Sequence, residues 1–127
     1  MHQENNYPYK QQSDFDLGLD DGTGDDEYCA LLEKHLPQVL DAADPELVVY
    51  VAGADCYVND VLGGLHLTLD GLRRRDELVV DHCVARDIPL AAVLGGGYAT
   101  DVADTVRIHH TTARVLWARA APRREET

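Results

Sequence analysis

Two short apolar runs, residues 47–52 and 88–94, constrain the fold of this chain more than any other feature of its sequence. Both are almost continuously hydrophobic, which is typical of strands buried on both faces, because a strand with one face in water would alternate. Helical patterns precede, separate and follow them, which predicts an α/β fold with parallel strands. Strands of this type normally lie inside larger sheets. We therefore expect an incomplete domain.

Three helices are predicted around these strands. The first begins at Asp25, and Pro37 within it predicts a kink or a second short helix. Thr68 can cap a second helix over roughly residues 69–86. A third helix is expected over roughly residues 100–119. Its predicted apolar face comprises Val102, Val106, His109, Ala113 and Leu116.

The two ends of the chain differ in character from its middle. Residues 1–24 are polar and rich in turn-forming residues, so they are expected to form an irregular loop. The last six residues, 122–127, are expected to form a frayed tail. Residues 25–121 form the predicted α/β body.

Composition excludes several classes of function. The chain has 23 acidic and 11 basic residues, for a formal net charge of −12, which disfavours direct nucleic-acid binding by a basic surface. No segment offers the ~18 apolar residues that a membrane span needs, and the start lacks the apolar core of a signal peptide. The three cysteines lack CxxC spacing, which favours reduced thiols over disulfides. We therefore expect a cytoplasmic protein without a nucleic-acid or membrane partner.

Each apolar run ends in small residues, and the carboxyl ends of parallel strands are where open α/β sheets bind ligands. The first run continues into Gly53-Ala54-Asp55, and a carboxylate there can serve as a hard metal ligand. The second continues into Gly95-Gly96-Gly97-Tyr98, where glycines allow a close backbone approach to a ligand and can aim the tyrosine into the crevice. From the pattern alone, however, an aspartate at a strand end is more often a turn or cap residue, and a glycine run is usually a tight turn.

Other chemistries find little support in the sequence. Ser13 is the only serine and lacks a nucleophile-elbow context, and neither GxxxxGK[ST] nor GxGxxG occurs. Cys56 adjoins Asp55 but is expected to be a packing residue, as free cysteines commonly are. The adjacent His109 and His110 cannot share a helix face. No single segment of the chain therefore builds a closed zinc site.

Several collinear segments resemble the zinc-dependent histone deacetylases of the arginase/deacetylase superfamily. The first is VYVAGADCYVNDVLGGL at residues 49–65, which resembles their metal-ligand segment, and GGGY at residues 95–98 resembles their catalytic glycine–tyrosine loop. The stretch of residues 67–79 between them, the upstream residues 20–28 and the Asn6-Tyr7-Pro8 peptide continue the match. The likeness is closest to the class IV and bacterial deacetylase-like branch.

The resemblance implies a fold, a reaction and roles for particular residues. The implied fold is an arginase-like parallel eight-stranded sheet, and the implied reaction is hydrolysis of an N-acetyl or longer acyl group on lysine or a related amine. Asp55 matches a metal-ligating aspartate, and Tyr98 matches the catalytic tyrosine that donates a hydrogen bond to the substrate carbonyl. The implied cofactor is Zn²⁺, although Asp/His sites also accept Fe²⁺. The positions expected to border the substrate are Gly96, Gly97, Tyr7 and Leu62.

The resemblance also implies that part of the site lies elsewhere. The family's other two metal ligands and its histidine pair precede this region, and residues 1–5 resemble the end of an internal strand. We therefore expect the C-terminal portion of a deacetylase domain, whose partner is the missing N-terminal half and which alone binds zinc weakly and lacks activity. The alternative is a non-catalytic small protein that keeps the scaffold as a binding or heteromeric partner subunit. A manganese hydrolase of the same fold fits less well, because the glycine–tyrosine loop is the deacetylase mark.

Overall fold

A computed structural model describes residues 1–6 and 9–120 of the chain. Tyr7 and the predicted tail, residues 122–127, lie outside the described residues. In chain order the elements are β1 (His2–Gln3), β2 (Gly18–Leu19), α1 (Asp25–Ala43), β3 (Val48–Gly53), α2 (Leu69–Val84), β4 (Leu90–Gly95) and α3 (Val102–Arg119). Among the described helices, none has the length and apolar character needed to cross a bilayer.

The two apolar runs form the strands β3 and β4, which pair in parallel. Their register runs from Val48 opposite Leu90 to Gly53 opposite Gly95, so both strands end at the same edge of the sheet. Helix α2 connects them, as the crossover between parallel strands requires. The predicted α/β fold with parallel strands and flanking helices is confirmed.

The segment 1–24, predicted to be an irregular loop, contains a short strand pair. The two-residue strands β1 and β2 lie parallel, with His2 opposite Gly18 and Gln3 opposite Leu19. Strands this short lack the length over which an alternating pattern becomes visible, which is why the sequence did not indicate them.

The start of α2 is fixed by contacts that also anchor α1. The Thr68 hydroxyl accepts a hydrogen bond from the Gly71 amide at 3.1 Å, which confirms the predicted cap. The same hydroxyl donates to Asp25 Oδ2 at 2.7 Å, and the Thr68 amide donates to Asp25 Oδ1 at 2.8 Å. A single carboxylate at the first residue of α1 therefore holds the first turns of both helices together.

Helix α1 continues through Pro37 as one element, so of the two predicted alternatives, a kink or a second short helix, the second helix does not form. Leu40 is buried beyond the proline, and its carbonyl accepts a hydrogen bond from the amide of the C-cap residue Asp44. Packing and capping of the last turn offset the one backbone bond that the proline removes.

The buried face of α3 differs from the predicted one. Val102 and Val106 are exposed, whereas Ile108, Thr112 and Val115 are the buried residues of the helix. The Thr112 hydroxyl donates to Asp76 Oδ2 of α2 at 2.6 Å. A polar contact that hydrophobic periodicity cannot detect therefore accompanies the observed rotation of the helix.

Strand β3 is buried on one face only, so the prediction of two buried faces is wrong for the described part of the chain. Ala52 is fully buried, and the Tyr50 hydroxyl reaches Asp76 of α2. Val49 and Val51 point the other way and are 61% and 65% exposed. Alternate side chains of a strand face opposite sides, and α2 covers one of them.

The main core lies beyond the carboxyl ends of these strands, where it supports the loops described below. It combines residues from β2, all three helices and the segment between β3 and α2. Its buried members are Leu19, Tyr28, Ala54, Tyr57, Leu65, Leu67, Leu72 and Ile108. The loop after β3 therefore contributes to this core through Ala54 and Tyr57, and the loop after β4 packs against it through Ala99.

Candidate active site

The candidate site begins where β3 and β4 end side by side. The Ala54 amide donates to the Gly95 carbonyl at 2.8 Å, which continues the strand pairing by one residue. Asp55 comes directly after Ala54, and the Gly96-Gly97 turn comes directly after Gly95, the last residue of β4. The sheet therefore brings the predicted metal ligand and the predicted glycine–tyrosine loop to the same edge.

The glycine turn lies directly against Asp55. A β-carbon at Gly96 would lie 3.2 Å from both Cβ and Cγ of Asp55, and one at Gly97 would lie 3.2 Å from Cβ of Ala54. Both glycines have positive φ, 57° at Gly96 and 114° at Gly97. Other residues adopt such backbone conformations at a cost. Glycine is therefore required here for the turn and for close contact with the strand end.

Tyr98 is held through its backbone while its ring remains in solvent. Its amide donates to Asp60 Oδ2 at 2.7 Å, and its carbonyl accepts from the Val61 amide at 3.0 Å. The side chain is 62% exposed. Tyr98 lies two positions after Gly96, a span of at most about 7 Å between their α-carbons. The phenol is thus attached to a fixed loop near the carboxylate.

The positions predicted to border a substrate fall in different environments. Leu62 follows the Asp60 turn, donates its amide to Asp60 Oδ1 at 2.9 Å and leaves its side chain exposed. Gly96 and Gly97 form the turn described above. Tyr7 is outside the described residues. The loops that carry Leu62 and Tyr98 share one carboxylate, although the two residues are 36 positions apart in the chain.

Asp55 has an open carboxylate that faces a cavity. Within residues 1–6 and 9–120, no hydrogen bond or ion pair engages its side-chain oxygens. It lines a cavity of about 530 Å³ together with Gly53, Cys56 and Arg75. Tyr98 and Leu62 do not line this cavity. The Asp55 carboxylate can therefore accept a cation, and the Tyr98 side chain lies outside this cavity.

The residues present fit one position of a metal site and do not complete it. Within the described ranges, no group of three or more histidine, cysteine, aspartate or glutamate side chains is close enough together to hold a metal ion. A catalytic zinc site generally has three protein ligands. Asp55 supplies an oxygen ligand of the right chemistry, and no metal-dependent step can be derived from these residues alone.

A buried ion pair supports the peptide that precedes Asp55. Arg75 Nη1 donates to the Gly53 carbonyl at 2.6 Å, and the guanidinium also binds Asp76 Oδ1 at 2.8 Å from Nη2. Both side chains are almost completely buried. The end of β3 is therefore fixed by a charged group from α2, a role that the sequence reasoning did not identify.

Cys56, next to Asp55, has the properties of a packing residue. It lies against the core cluster, and burial raises the pKa of its thiol above the usual value. A raised pKa reduces the thiolate fraction, and the thiolate is the form that binds metals and attacks electrophiles. The geometry is consistent with the expected structural role.

The parallel strands, the flanking helices and a carboxylate beside a glycine–tyrosine loop at the strand ends define an α/β domain with its candidate site at a sheet edge. Comparison with known families makes the class specific: the model of the histone deacetylase domain matches residues 1–114. The chain belongs to this family. The family resemblance drawn from its motifs is therefore confirmed.

The chain is also similar to individual proteins. An uncharacterized protein of Picosynechococcus sp. is 48% identical over 121 residues, which cover 92% of this chain and 40% of the relative. Histone deacetylase 2 of Arabidopsis thaliana is 38% identical over 89 residues, covering 67% of this chain and 23% of that protein. The crystal structure of an acetylpolyamine aminohydrolase from Burkholderia pseudomallei superposes with a TM-score of 0.60 at 22% identity, covering 81% of this chain and 27% of that one. The chain thus matches less than half the length of each.

Proposed function

We propose that this chain forms part of the active site of a metal-dependent deacetylase, which hydrolyses an N-acetyl or longer acyl amide on lysine or a related amine. One observation carries the proposal: in a member of the histone deacetylase family, the backbone of Gly96 lies against the Asp55 carboxylate two residues before Tyr98. The net charge of −12 supports a substrate that carries positive charge apart from its neutral acyl amide, because it favours the approach of positive charge.

In this proposal Asp55 is one ligand of a zinc ion, or of ferrous iron, which the same ligand types accept. The open carboxylate and its place at the strand end support this role. Such an ion, when bound, polarises an amide carbonyl and lowers the pKa of coordinated water. The other ligands would come from the remainder of a deacetylase-type domain.

The proposed role of Tyr98 is to donate a hydrogen bond to the substrate carbonyl oxygen. A tyrosine hydroxyl is a donor at neutral pH, and the exposed ring is free to meet a ligand at the site rim. The fixed backbone places that donor in advance of the reaction, and preorganised donors are effective in stabilising an oxyanion. Leu62, Gly96 and Gly97, together with Tyr7, would border the acyl chain.

The remainder of a deacetylase-type domain is the partner that this proposal requires. Its binding surface would include the bare face of β3, where Val49 and Val51 are exposed. Burial of such side chains is favourable at about 25 cal/mol per Å² of apolar area. The matched relatives are at least twice as long as their matched segments, which supports a further segment that covers this face.

A chimera tests the proposal. This chain replaces the matched segment of the Picosynechococcus relative, whose 48% identity supports correct folding. We expect the purified chimera to bind zinc and to hydrolyse an acetyl-lysine peptide or an acetylated polyamine. Tyr98→Phe should keep the metal and lower kcat by about 10²–10³-fold, as loss of one oxyanion donor does.

Asp55→Ala should reduce the metal content of the chimera, and Asp41→Ala, which removes an exposed carboxylate on α1, serves as the control. A folded chimera that hydrolyses neither substrate would contradict the proposal and favour the non-catalytic partner subunit. Unchanged turnover in Tyr98→Phe would contradict the role of Tyr98 as a hydrogen-bond donor. Unchanged metal content in Asp55→Ala would contradict the role of Asp55 as a metal ligand.

A further inference from the structure

Asp60 carries a buried carboxylate that has no part in the roles proposed above for Asp55 and Tyr98. It lies in the turn after Tyr57 and is 8% exposed. Burying a charged group is costly unless it is hydrogen-bonded. Its two oxygens therefore need partners, and both find them in backbone amides.

The two oxygens of Asp60 bind two different loops. Oδ1 accepts from the Leu62 amide at 2.9 Å and the Gly63 amide at 2.7 Å. Oδ2 accepts from the Tyr98 amide at 2.7 Å. Hydrogen bonds to an ionised acceptor are shorter and stronger than neutral ones. One side chain thus joins the loop after β3 to the glycine–tyrosine loop after β4.

Backbone contacts on either side make this junction continuous. Asp60 forms an isolated antiparallel bridge with Ala99, and the Thr100 amide donates to the Asn59 carbonyl at 3.0 Å. Asp60 remains the side chain that fixes the direction of the Tyr98 peptide, since it holds the amide while Val61 holds the carbonyl.

We propose that Asp60 is the positioning residue for Tyr98, acting through the Tyr98 amide to fix where the phenol meets a substrate. This inference rests on the proposed function for the role of the phenol. Among the described residues, the hydrogen bonds of the Asp60 side chain go to the Leu62, Gly63 and Tyr98 amides and not to Asp55. Asp60 holds the glycine–tyrosine loop in one conformation. The Tyr98 hydroxyl therefore need not be ordered during the reaction.

The chemistry of the carboxylate makes two variants informative. An asparagine has the same shape but one acceptor oxygen, so it can serve the Leu62 and Gly63 amides or the Tyr98 amide and not both. Asp60→Asn therefore weakens the junction between the two loops without creating a cavity. Asp60→Ala removes all the side-chain hydrogen bonds of the junction. Asp101→Asn is the matched control, because Asp101 accepts from the Ala103 amide at the start of α3.

The first test is amide hydrogen exchange by NMR in the 127-residue chain. We expect Asp60→Ala to accelerate exchange of the Tyr98 amide about 10- to 100-fold, the range set by one hydrogen bond to a charged group. Asp60→Asn should accelerate exchange either at Tyr98 or at Leu62 and Gly63. Asp101→Asn should leave all three amides unchanged. An unchanged Tyr98 amide in both Asp60 variants would overturn the proposal.

The second test is a double-mutant cycle in the chimera described above. If Asp60 acts through Tyr98, Asp60→Asn lowers kcat with little change in KM, and it adds little to Tyr98→Phe. A lowered kcat in Tyr98→Phe with an unchanged kcat in Asp60→Asn would overturn the positioning role alone. An unchanged kcat in Tyr98→Phe would instead contradict the proposed function. Full additivity of the two changes would show that Asp60 acts independently of the phenol.

Discussion

Replacing Asp76 with asparagine removes the negative charge from the most buried ion pair that the structure describes. Asp76 is 1% exposed and accepts hydrogen bonds from the Tyr50 hydroxyl, from Arg75 and from the Thr112 hydroxyl. Asparagine has nearly the same volume, so the substitution changes the charge without opening a cavity. The guanidinium of Arg75 would then be left buried without a counter-charge.

The expected loss of stability follows from these contacts. An asparagine oxygen can still accept from Arg75, and Thr112 can turn its hydroxyl to the Ile108 carbonyl, which already lies 3.2 Å away. The hydrogen-bond loss is therefore small and the uncompensated charge dominates. Breaking a buried ion pair costs about 3–5 kcal/mol, and we expect the lower end, about 3 kcal/mol. That is a large fraction of the about 5–15 kcal/mol that stabilises a typical domain.

Urea unfolding of the 127-residue chain, followed by circular dichroism, measures this loss. With an m value of about 1–3 kcal/mol/M, the midpoint should fall by about 1–3 M. Asp70→Asn on the same helix is the control, because Asp70 pairs with Arg73 at the surface, and its midpoint should stay near that of the unchanged chain. An Asp76→Asn midpoint equal to that of the control would refute the reasoning.

Two further predictions concern the glycine turn and alkaline pH. Gly97→Ala should lower the free energy of unfolding by at least about 1 kcal/mol, because φ is positive and a β-carbon would lie 2.6 Å from Thr105 Cγ2. Gly24→Ser, at a helix N-cap with ordinary space around it, should be neutral or stabilising, and urea titration of both variants checks the contrast. Stability should also fall as pH rises above about 9. Burial raises the pKa of Cys29, Cys56 and Cys83 above the ordinary 9.0, so the unfolded chain loses these protons first. Chemical denaturation from pH 7 to 10 measures this, and constant stability across that range would contradict it.

The arrangement of helices and strands was predictable because the strongest signals are local. The runs at residues 47–52 and 88–94 are long enough to identify strands. The Thr68 cap was predictable because its bond from the Gly71 amide lies within the first turn of α2. The motifs around Asp55 and Tyr98 then identified the family, because their order and separation match over most of the chain.

The details that depend on contacts between distant segments were not predictable in the same way. The Tyr98 amide that Asp60 binds lies 38 residues away, so no local sequence pattern indicates this contact. Asp76 lies four positions after Leu72 and seven before Cys83, on the buried face of α2. A charged residue on the apolar face of a predicted helix is the sequence pattern that could have indicated a buried ion pair. The buried face of α3 also includes Thr112, whose hydroxyl donates to Asp76, a contact that hydrophobic periodicity does not indicate.

The exposed face of β3 shows a different kind of error. A continuous apolar run indicates that both faces of a strand are suited to packing against other apolar residues. It does not indicate whether the same chain supplies those residues. Val49 and Val51 satisfy the pattern of a strand buried on both faces and are nevertheless exposed. The pattern is typical of strands in larger sheets, whereas β3 and β4 form a two-stranded sheet in the part of the chain that the structure describes.

The central claim is that the Asp55 carboxylate is an open cation ligand beside the loop that carries Tyr98. NMR of the 127-residue chain during titration with Mn²⁺ tests it directly, since a bound paramagnetic ion broadens the resonances of nearby nuclei. We expect selective broadening at Gly96, Gly97 and Tyr98 that disappears in Asp55→Asn, while broadening at other surface carboxylates persists. Broadening of these three residues that survives in Asp55→Asn, or its absence from the unchanged chain, would contradict the claim.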